Sequence, residues 1–317
     1  MRRNLDTGLF HAMRLFVRVA DARSMTAAAA QSSLTTAQIS RMMSELEQRL
    51  ETKLIQRNSR NLTLTSAGEN YLLKCREVLD LVAGAEGEAA GSAEQPVGNL
   101  RIICLSGFGG RYVAPLIPEY LKRYPNAQVE YLTQQRIPDL LGEGIDVGMF
   151  VARELRSSSL IATRVGTIHA HMCASPDYLK RYGEPVRPED LAHHRCLRLV
   201  NATFSQQWDL TDGRSSFTLR TEGPLLSDTP EVLMVAAVQG QGIALVPSFA
   251  IIDPLKARTL IKVLPNWQAE HFGVFALMPS RQFVAAKTRA WLDLIREKLP
   301  AALERDEHLF NSLPSCS

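Results

Sequence analysis

The chain reads as a multidomain protein: an all-α head of short helices, one long helix, and an α/β domain. Three observations predict this. Residues 24–50 hold two helical segments, each with a start signal, separated by a short polar break. Residues 66–89 repeat apolar side chains in alternating steps of four and three, and from Leu100 onward strand-like and helix-like runs alternate. At 317 residues there is room for two or three domains, and 45% hydrophobic with 22% charged residues is the balance of an ordinary globular protein.

In chain order, Leu9, Phe10, Met13, Phe16, Val17 and Ala20 mark one apolar face of a first helix. Ser24 then precedes an alanine run. Ala27, Ala28 and Ala29 have almost no side chain and let a crossing helix approach, although alanine also favours any exposed helix. Gln31, Ser32 and Ser33 form the break. Thr35-Thr36-Ala37-Gln38 is a capping box, in which the Thr35 hydroxyl accepts from the Gln38 amide while the Gln38 side chain reaches back to the Thr35 amide. Ile39, Met42, Met43, Leu46 and Leu50 give the second helix a buried stripe, and Thr36, Gln38, Arg41 and Glu45 fall opposite. Two short helices joined by a tight turn are the framework of a helix-turn-helix, whose second helix enters the DNA major groove. RNSRNLTLT predicts a short hairpin with Asn58-Ser59 near its tip and Leu62 and Leu64 alternating.

A long helix is expected from Ser66, with Ser66-Ala67-Gly68-Glu69 as a second capping box. Tyr71, Cys75, Val78, Val82, Ala85 and Ala89 have the spacing of a coiled-coil seam, which predicts dimerisation; the alternative is a helix lying on its own domain. GSAEQPVGN reads as a hinge. Next come LRIICL as a strand, GGRYVAPLIPEYLKRYP as a helix, QVEYLT as a strand, IPDLLGEG as a short helix and IDVGMFVA as a strand. LIATRVG and HAHMCAS are strands, PDYLKRYG and PEDLAHH helical pieces, and WDLTDGRSSFTLR a hairpin turning at Asp212-Gly213. DTPEVLMVAAV reads as a helix stopped at Gly240 to Gly242, followed by a buried strand. FGVFALMP is a further strand and TRAWLDLIREKL a closing helix, with a polar, loose tail past Leu303. The βαβ alternation implies a mainly parallel sheet covered by helices.

Charge is unevenly spread. The first 66 residues hold ten Lys and Arg against five acids, so they carry +5 of a chain total of +3 and the remainder carries −2. A basic head on a mildly acidic body suits a polyanion met by the head alone. No apolar run approaches the roughly 20 residues of a membrane span. Arg14 and Arg18 interrupt the N-terminal apolar residues, which argues against a secretory signal and for a cytoplasmic protein. Cys75, Cys104, Cys173, Cys196 and Cys316 are scattered and without metal spacing, as expected of reduced, mostly buried thiols. His169 with His171, and His193 with His194, lack Cys or Glu at ligand spacing. GFGG lacks the dinucleotide fingerprint, and no nucleophile elbow or phosphate loop is present, so no enzyme, cofactor or metal is expected.

The stretch from Phe16 to Gly68 resembles the LysR-type transcriptional regulators. Phe16 and Val19, Ser24-Met25-Thr26 with Ala28 and Ala29, Thr35-Thr36 with Ser40, Leu46-Glu47, Leu54-Ile55-Gln56-Arg57, and Leu64-Thr65 with Gly68 follow the family pattern. The departures are Met25 for Phe, Ser32 for Leu, Thr36 for Gln, Glu51 for Gly and Ile55 for Phe. Ala114-Pro115, Tyr124-Pro125, Asp146, Ser175 to Leu179, Asp190-Leu191, His194, Gly240-Gln241-Gly242 and Pro247 resemble the family's effector domain. The resemblance implies a winged helix-turn-helix (1–65), a linker helix for dimerisation (66–92), a hinge (93–98) and a two-lobed, type 2 periplasmic-binding-protein-like domain (99–303). Its first lobe would span 99–163 and 267–303, its second 164–266, with the tail at 304–317.

The resemblance also implies partners: double-stranded promoter DNA, a small carboxylate or aromatic effector, a second copy in a homodimer or homotetramer, and RNA polymerase. Ser24, Thr35, Thr36, Ala37, Gln38, Ser40 and Arg41 are the expected DNA contacts, with Arg57 and Arg60 of the wing on phosphates. Ligands in open α/β sheets sit beyond the carboxyl ends of strands, near helix N-termini. There Ser106 offers a hydroxyl, and Gly107, Gly109 and Gly110 offer amides to a carboxylate, though the same glycines also suit a tight turn. Phe108, Thr133, Phe150, Phe204 and Asp228-Thr229 would line the same cleft by analogy. The competing reading is an α/β solute-binding protein or enzyme with an incidental helical N-terminus.

Overall fold

The computed structural model describes residues 7–57, 62–89, 96–153, 155, 160–200, 207–269, 271–279 and 284–313. The chain divides into two compact units, Met1–Gly98 with Leu141–Gly144, and Asn99–Leu140 with Ile145–Ser317.

The first unit contains α1 (Thr7–Ala22), α2 (Met25–Ser32), α3 (Thr36–Leu50), β1 (Ile55–Arg57), β2 (Leu62–Leu64) and α4 (Ser66–Ala89). Ser24 caps α2 through its Oγ, which accepts from the Ala27 amide at 3.3 Å. Ser33, at φ 55°, ends α2 in the left-handed region, so the break falls later than expected. Ser32 stands where the family carries Leu, and its hydroxyl accepts from Arg18 at 3.0 Å. The Thr35–Gln38 capping box forms as expected, with the Thr35 amide 2.8 Å from Gln38 Oε1 and the Gln38 amide 3.2 Å from Thr35 Oγ1.

The core joins Met13, Leu15, Phe16 and Val19 of α1 to Ala28 and Ala29, to Ile39, Met43 and Leu46, and to Leu54, Ile55 and Cys75. Leu15 and Val19 are buried where the sequence pointed to Val17 and Ala20, a small rotation of α1 about its axis. Ala27 is exposed; only Ala28 and Ala29 pack. Burying each large apolar side chain stabilises the unit by about 1.5–3 kcal/mol.

Glu47 is the unusual member, a carboxylate only 9% exposed. It accepts from the amides of Leu54 and Ile55, each at 3.0 Å, and from Lys53 Nζ at 2.6 Å, so it ties the end of α3 to the start of the hairpin. Burial works against its charge, but these donors prevail and hold its pKa below the ordinary carboxylate value. β1 and β2 pair antiparallel, Ile55 opposite Leu64 and Arg57 opposite Leu62; the tip at Asn58-Ser59 lies outside the described residues.

Two expectations for the long helix are corrected. Its cap is Thr65, whose Oγ1 accepts from the Gly68 amide at 2.9 Å and donates to the Lys53 carbonyl at 2.6 Å, so no box forms at Ser66. A Cβ at Gly68 would stand 2.0 Å from the Leu54 carbonyl oxygen, which explains the glycine. The stripe beginning at Tyr71, Cys75 and Val78 packs on the core of its own unit, Tyr71 against Phe16 at 5.6 Å, because α4 runs across α1. Those three residues are therefore not a free seam.

The second unit contains β3 (Gly98–Cys104), α5 (Ser106–Phe108), α6 (Ile117–Arg123), β4 (Ala127–Thr133), β5 (Val147–Ala152), β6 (Ile161–Ile168), β7 (Ala170–Ala174), α7 (Pro176–Tyr182), β8 (Cys196–Leu199), β9 (Gln207–Thr211) and β10 (Ser216–Arg220). It continues with β11 (Leu226–Ser227), α8 (Pro230–Val238), β12 (Ile243–Pro247), α9 (Ser248–Lys256), β13 (Ile261–Lys262), β14 (Gln268–Ala269), β15 (Phe272–Met278) and α10 (Ala286–Ser312). Two five-stranded sheets, ordered β4-β3-β5-β15-β6 and β11-β8-β12-β7-β13, form its two lobes, with a small β10-β9-β14 sheet beside the second.

Both large sheets are mixed, which corrects the mainly parallel expectation. β15 runs antiparallel to β5 and β6, and β7 antiparallel to β12 and β13, because the chain leaves each sheet and returns to it. The crossings lie at His169, between β6 and β7, and past Ala269, between β14 and β15. Limits at 163/164 and 266/267 would cut β6 and detach β14, so the lobes exchange a few residues relative to the sequence expectation.

The helix expected over 109–125 is broken into α5, a π turn at Gly109–Val113, a 3-10 turn at Ala114–Leu116, and α6. IPDLLGEG forms a turn, and α9 was not foreseen. The largest departure is the tail: α10 passes through Pro300 to Ser312. Buried Asp306 accepts from Arg111 Nε at 2.5 Å and from Tyr112 Oη at 2.9 Å, and Phe310 stacks on His171 at 3.7 Å. At its other end Lys287 donates to the Asn99 carbonyl at 2.7 Å and lies 3.3 Å from Asp146.

Candidate functional site

The outer face of α3 follows from its inner one. With Ile39, Met43 and Leu46 buried, the 3.6-residue period leaves Thr36, Ala37, Gln38, Arg41, Ser44 and Glu45 exposed. Thr35 is exposed and spends its hydroxyl on the cap, while Ser24 and Ser40 are half-buried, Ser24 as the cap of α2. Arg41 is held by Glu45 at 2.8 Å on the open surface. Arg57 pairs in the hairpin through its backbone, and Arg60 lies outside the described residues. Ser44, whose Oγ donates to the Ser40 carbonyl at 3.0 Å, joins the face; its place one turn beyond Arg41 was the available signal.

The two lobes line a cleft that opens to solvent, with about 370 Å³ of space between its walls when the open mouth is included. The first lobe supplies Leu105, Ser106, Gly107, Phe108, Gln135, Val151 and Ile168, and the second Leu199, Pro230, Pro247 and Phe249. Ser106, Gly107 and Phe108 thus lie where the sequence put them. Three expected residues do not. Phe150 faces the opposite side of its sheet, buried with Ile103, Leu140, Ile145 and Leu277, and its neighbour Val151 lines the cavity, since successive strand residues point to opposite faces. Thr133 ends β4 exposed, and Gln135 takes the place expected of it. Thr229 turns its hydroxyl to Asp228 Oδ1 at 3.0 Å, leaving Pro230 at the wall. Phe204 lies outside the described residues.

Gly109 does not offer its amide to the cavity. The Gly109 amide donates to the Leu105 carbonyl at 2.7 Å, and a Cβ on Gly109 would stand 2.2 Å from Tyr131 Oη and 2.6 Å from Cys104 Cβ. Gly109 is there for close packing. Phe249 carries no signal in the sequence, because α9 reads as an apolar run, whereas Pro247 belongs to the residues that resemble the family's effector domain.

Four cysteines, Cys75, Cys104, Cys173 and Cys196, are free and buried, and Cys316 lies outside the described residues. Burial pushes the thiols of Cys75, Cys173 and Cys196 up to about 12 and also raises that of Cys104, which keeps them protonated. Among the described residues no group of three or more His, Cys, Asp or Glu could hold a metal ion, and no helix is long and apolar enough to cross a membrane.

Comparison with known proteins agrees with this geometry. Residues 10–69 match the bacterial regulatory helix-turn-helix of the lysR family, and residues 93–300 match the LysR substrate binding domain. The HTH-type transcriptional activator AaeR of Escherichia coli (strain K12) is 31% identical over 285 residues, 90% of this chain and 92% of that protein. An HTH-type transcriptional repressor of Pseudomonas aeruginosa is equally similar, 31% over 288 residues, 90% of each chain. Among solved structures, the full-length Vibrio cholerae virulence activator AphB superposes with a TM-score of 0.57 at 26% identity, over 90% of this chain and 97% of that one. CrgA of Neisseria meningitidis gives 0.58 at 25% identity, over 93% and 99%. The family consists of DNA-binding regulators with an effector-binding domain rather than enzymes, and this chain belongs to it: it is a LysR-type transcriptional regulator.

Proposed function

We propose that the chain acts in the cytoplasm, that it reads its operator through Thr36, Ala37, Gln38, Ser40 and Arg41 on α3, and that Arg57 and Arg60 of the wing engage phosphates. The observation that carries this is the exposed row on α3 standing directly over the buried Ile39–Met43–Leu46 stripe. Short polar side chains at Thr36 and Gln38 suit base edges, whereas the arginines supply salt-sensitive attraction without sequence information. To reach a phosphate Arg41 exchanges Glu45 for it, a small loss for an exposed pair.

A small ligand bound between the lobes would favour one closure state, and α4 would transmit that bias to a paired head. The distal half of α4, at Val82, Ala85 and Ala89, is the part of its stripe that the spacing leaves for a second copy, in a dimer or tetramer. The cavity's walls suit a small apolar or aromatic molecule better than a carboxylate, since no Lys, Arg or His lines it among the described residues. The relatives include both an activator and a repressor, and RNA polymerase is a further partner that the family resemblance implies.

A gel-shift titration on the chain's own upstream DNA tests the reading. The logarithm of the affinity should fall linearly with that of salt, and changing Arg41 and Arg57 together to alanine should weaken binding about 10–100-fold and flatten the slope by about two. Unchanged binding by that variant would remove the proposal.

A further inference from the structure

The interlobe cavity has an acidic neighbour that simple apolar binding leaves without a role. Glu231 stands in the first turn of α8, next to Pro230 of the cavity wall. Its carboxylate is pressed against Gly107: a Cβ on Gly107 would lie 1.5 Å from Glu231 Oε1 and 3.1 Å from Phe249 Cε2. Gly107 and Phe249 both line the cavity. Glu231 Oε2 is buried without a hydrogen-bond partner among the described residues, and no basic residue stands among those lining the cavity.

A carboxylate oxygen shut off from water with no donor is unfavourable, and the cost is relieved when a cation or hydrogen-bond donor arrives. A ligand carboxylate there would bring a second acid and no donor for either. In the cavity wall Phe108 and Phe249 meet edge to face at 6.1 Å, and Tyr112 stands 5.2 Å from Phe108. Aromatic rings attract a cation electrostatically. An acid packed against Gly107 of the cavity wall, with Ser106, Phe108 and Phe249 among the other lining residues, is the chemistry that takes an ammonium group on a small apolar body.

We infer that the cavity selects a small aromatic or aliphatic amine in its protonated form, and that Glu231 is the residue that recognises the ammonium and excludes carboxylates. The inference rests on the proposed ligand site between the lobes and narrows its ligand class. Glycine at 107 is then required, because any side chain there would occupy the position of the acid.

Calorimetric and thermal-shift titrations of the full chain with benzylamine, benzyl alcohol and benzoate test it. Benzylamine should bind at least about tenfold more tightly than benzoate, equivalent to about 1.4 kcal/mol. Glu231→Gln should lose that preference while benzyl alcohol changes less than about twofold, and Glu231→Asp, which keeps the charge, should retain a preference for the amine. Benzoate binding as tightly as benzylamine, or an amine affinity unchanged in Glu231→Gln, overturns the inference. Binding of benzyl alcohol alone overturns the charge assignment and leaves the ligand site standing, whereas failure of all three probes removes both.

Discussion

On α3 the residues offered to DNA are successive turns of one helix, and their positions follow from which neighbours are buried. In the interlobe cavity the walls come from β5, β6, β8, β12 and the turns and helices beside them, spread from Leu105 to Phe249. An error in helical phase on α3 would bury Arg41 and expose Met43, so the apolar stripe corrects it. In β5 of the α/β unit both faces are covered, as the unbroken burial of Val147 to Val151 shows, and the pattern offers no such correction. The first kind of site is written in local order. The second is assembled by crossings.

The sharpest way to break the comparison is at Glu47, where local order depends on one buried charge. Glu47→Ala should destabilise the first unit by about 3–4 kcal/mol, since the amides of Leu54 and Ile55 lose their acceptor. Chemical denaturation monitored on the full chain should then show that unit unfolding first, and a single unshifted transition would contradict this role.

In the second unit the corresponding stress is pH. His171, buried against Phe310 and facing His169, Glu307 and Lys262, is pushed down to about 4, chiefly by burial, from an ordinary value of 6.5. The unfolded chain then binds the proton more readily, so stability is full above about pH 6.5 and declines as pH falls toward 4, by on the order of 2–3 kcal/mol. Glu307, held below its ordinary value against burial by His169, loses stabilisation in the same direction as it protonates. His171→Leu should flatten the thermal-stability profile between pH 4 and 6.5, and an equally steep profile would rule His171 out as its source.

The smallest effect sharpens the local side. Glu51 ends α3 at φ 55°, a left-handed conformation that a side chain resists. Glu51→Gly should raise the unfolding midpoint of the first unit, a gain of about 1 kcal/mol, and a fall would show that the Glu51 side chain contributes more than its strain costs.

The second unit was legible in the sequence at the level of strands, and less so at their ends and faces. The Asp212-Gly213 hairpin was readable because Asp212 Oδ1 accepts from the Arg214 and Ser215 amides, a contact local in sequence. The end of α10 was not. Its last turns look polar in isolation, yet Asp306 finds Arg111 and Phe310 finds His171, partners about 195 and 139 residues away that no window can see. Phe150 and Val151 are equally apolar, and only the pairing of β5 with β3 and β15 decides which of them faces the cavity.

By itself the sequence determined the capped helix pair, the basic head, the alternation of strands and helices after the long helix and the family to which they belong. Caps, periods and charge act over a few residues, so they survive without three dimensions. The tertiary structure decided where the chain crosses between the sheets, which strand face lines the cavity, that α10 continues past Pro300, and that Glu231 meets Gly107. Those contacts join residues far apart in the chain, and the free energy that selects them exists only once the lobes have packed.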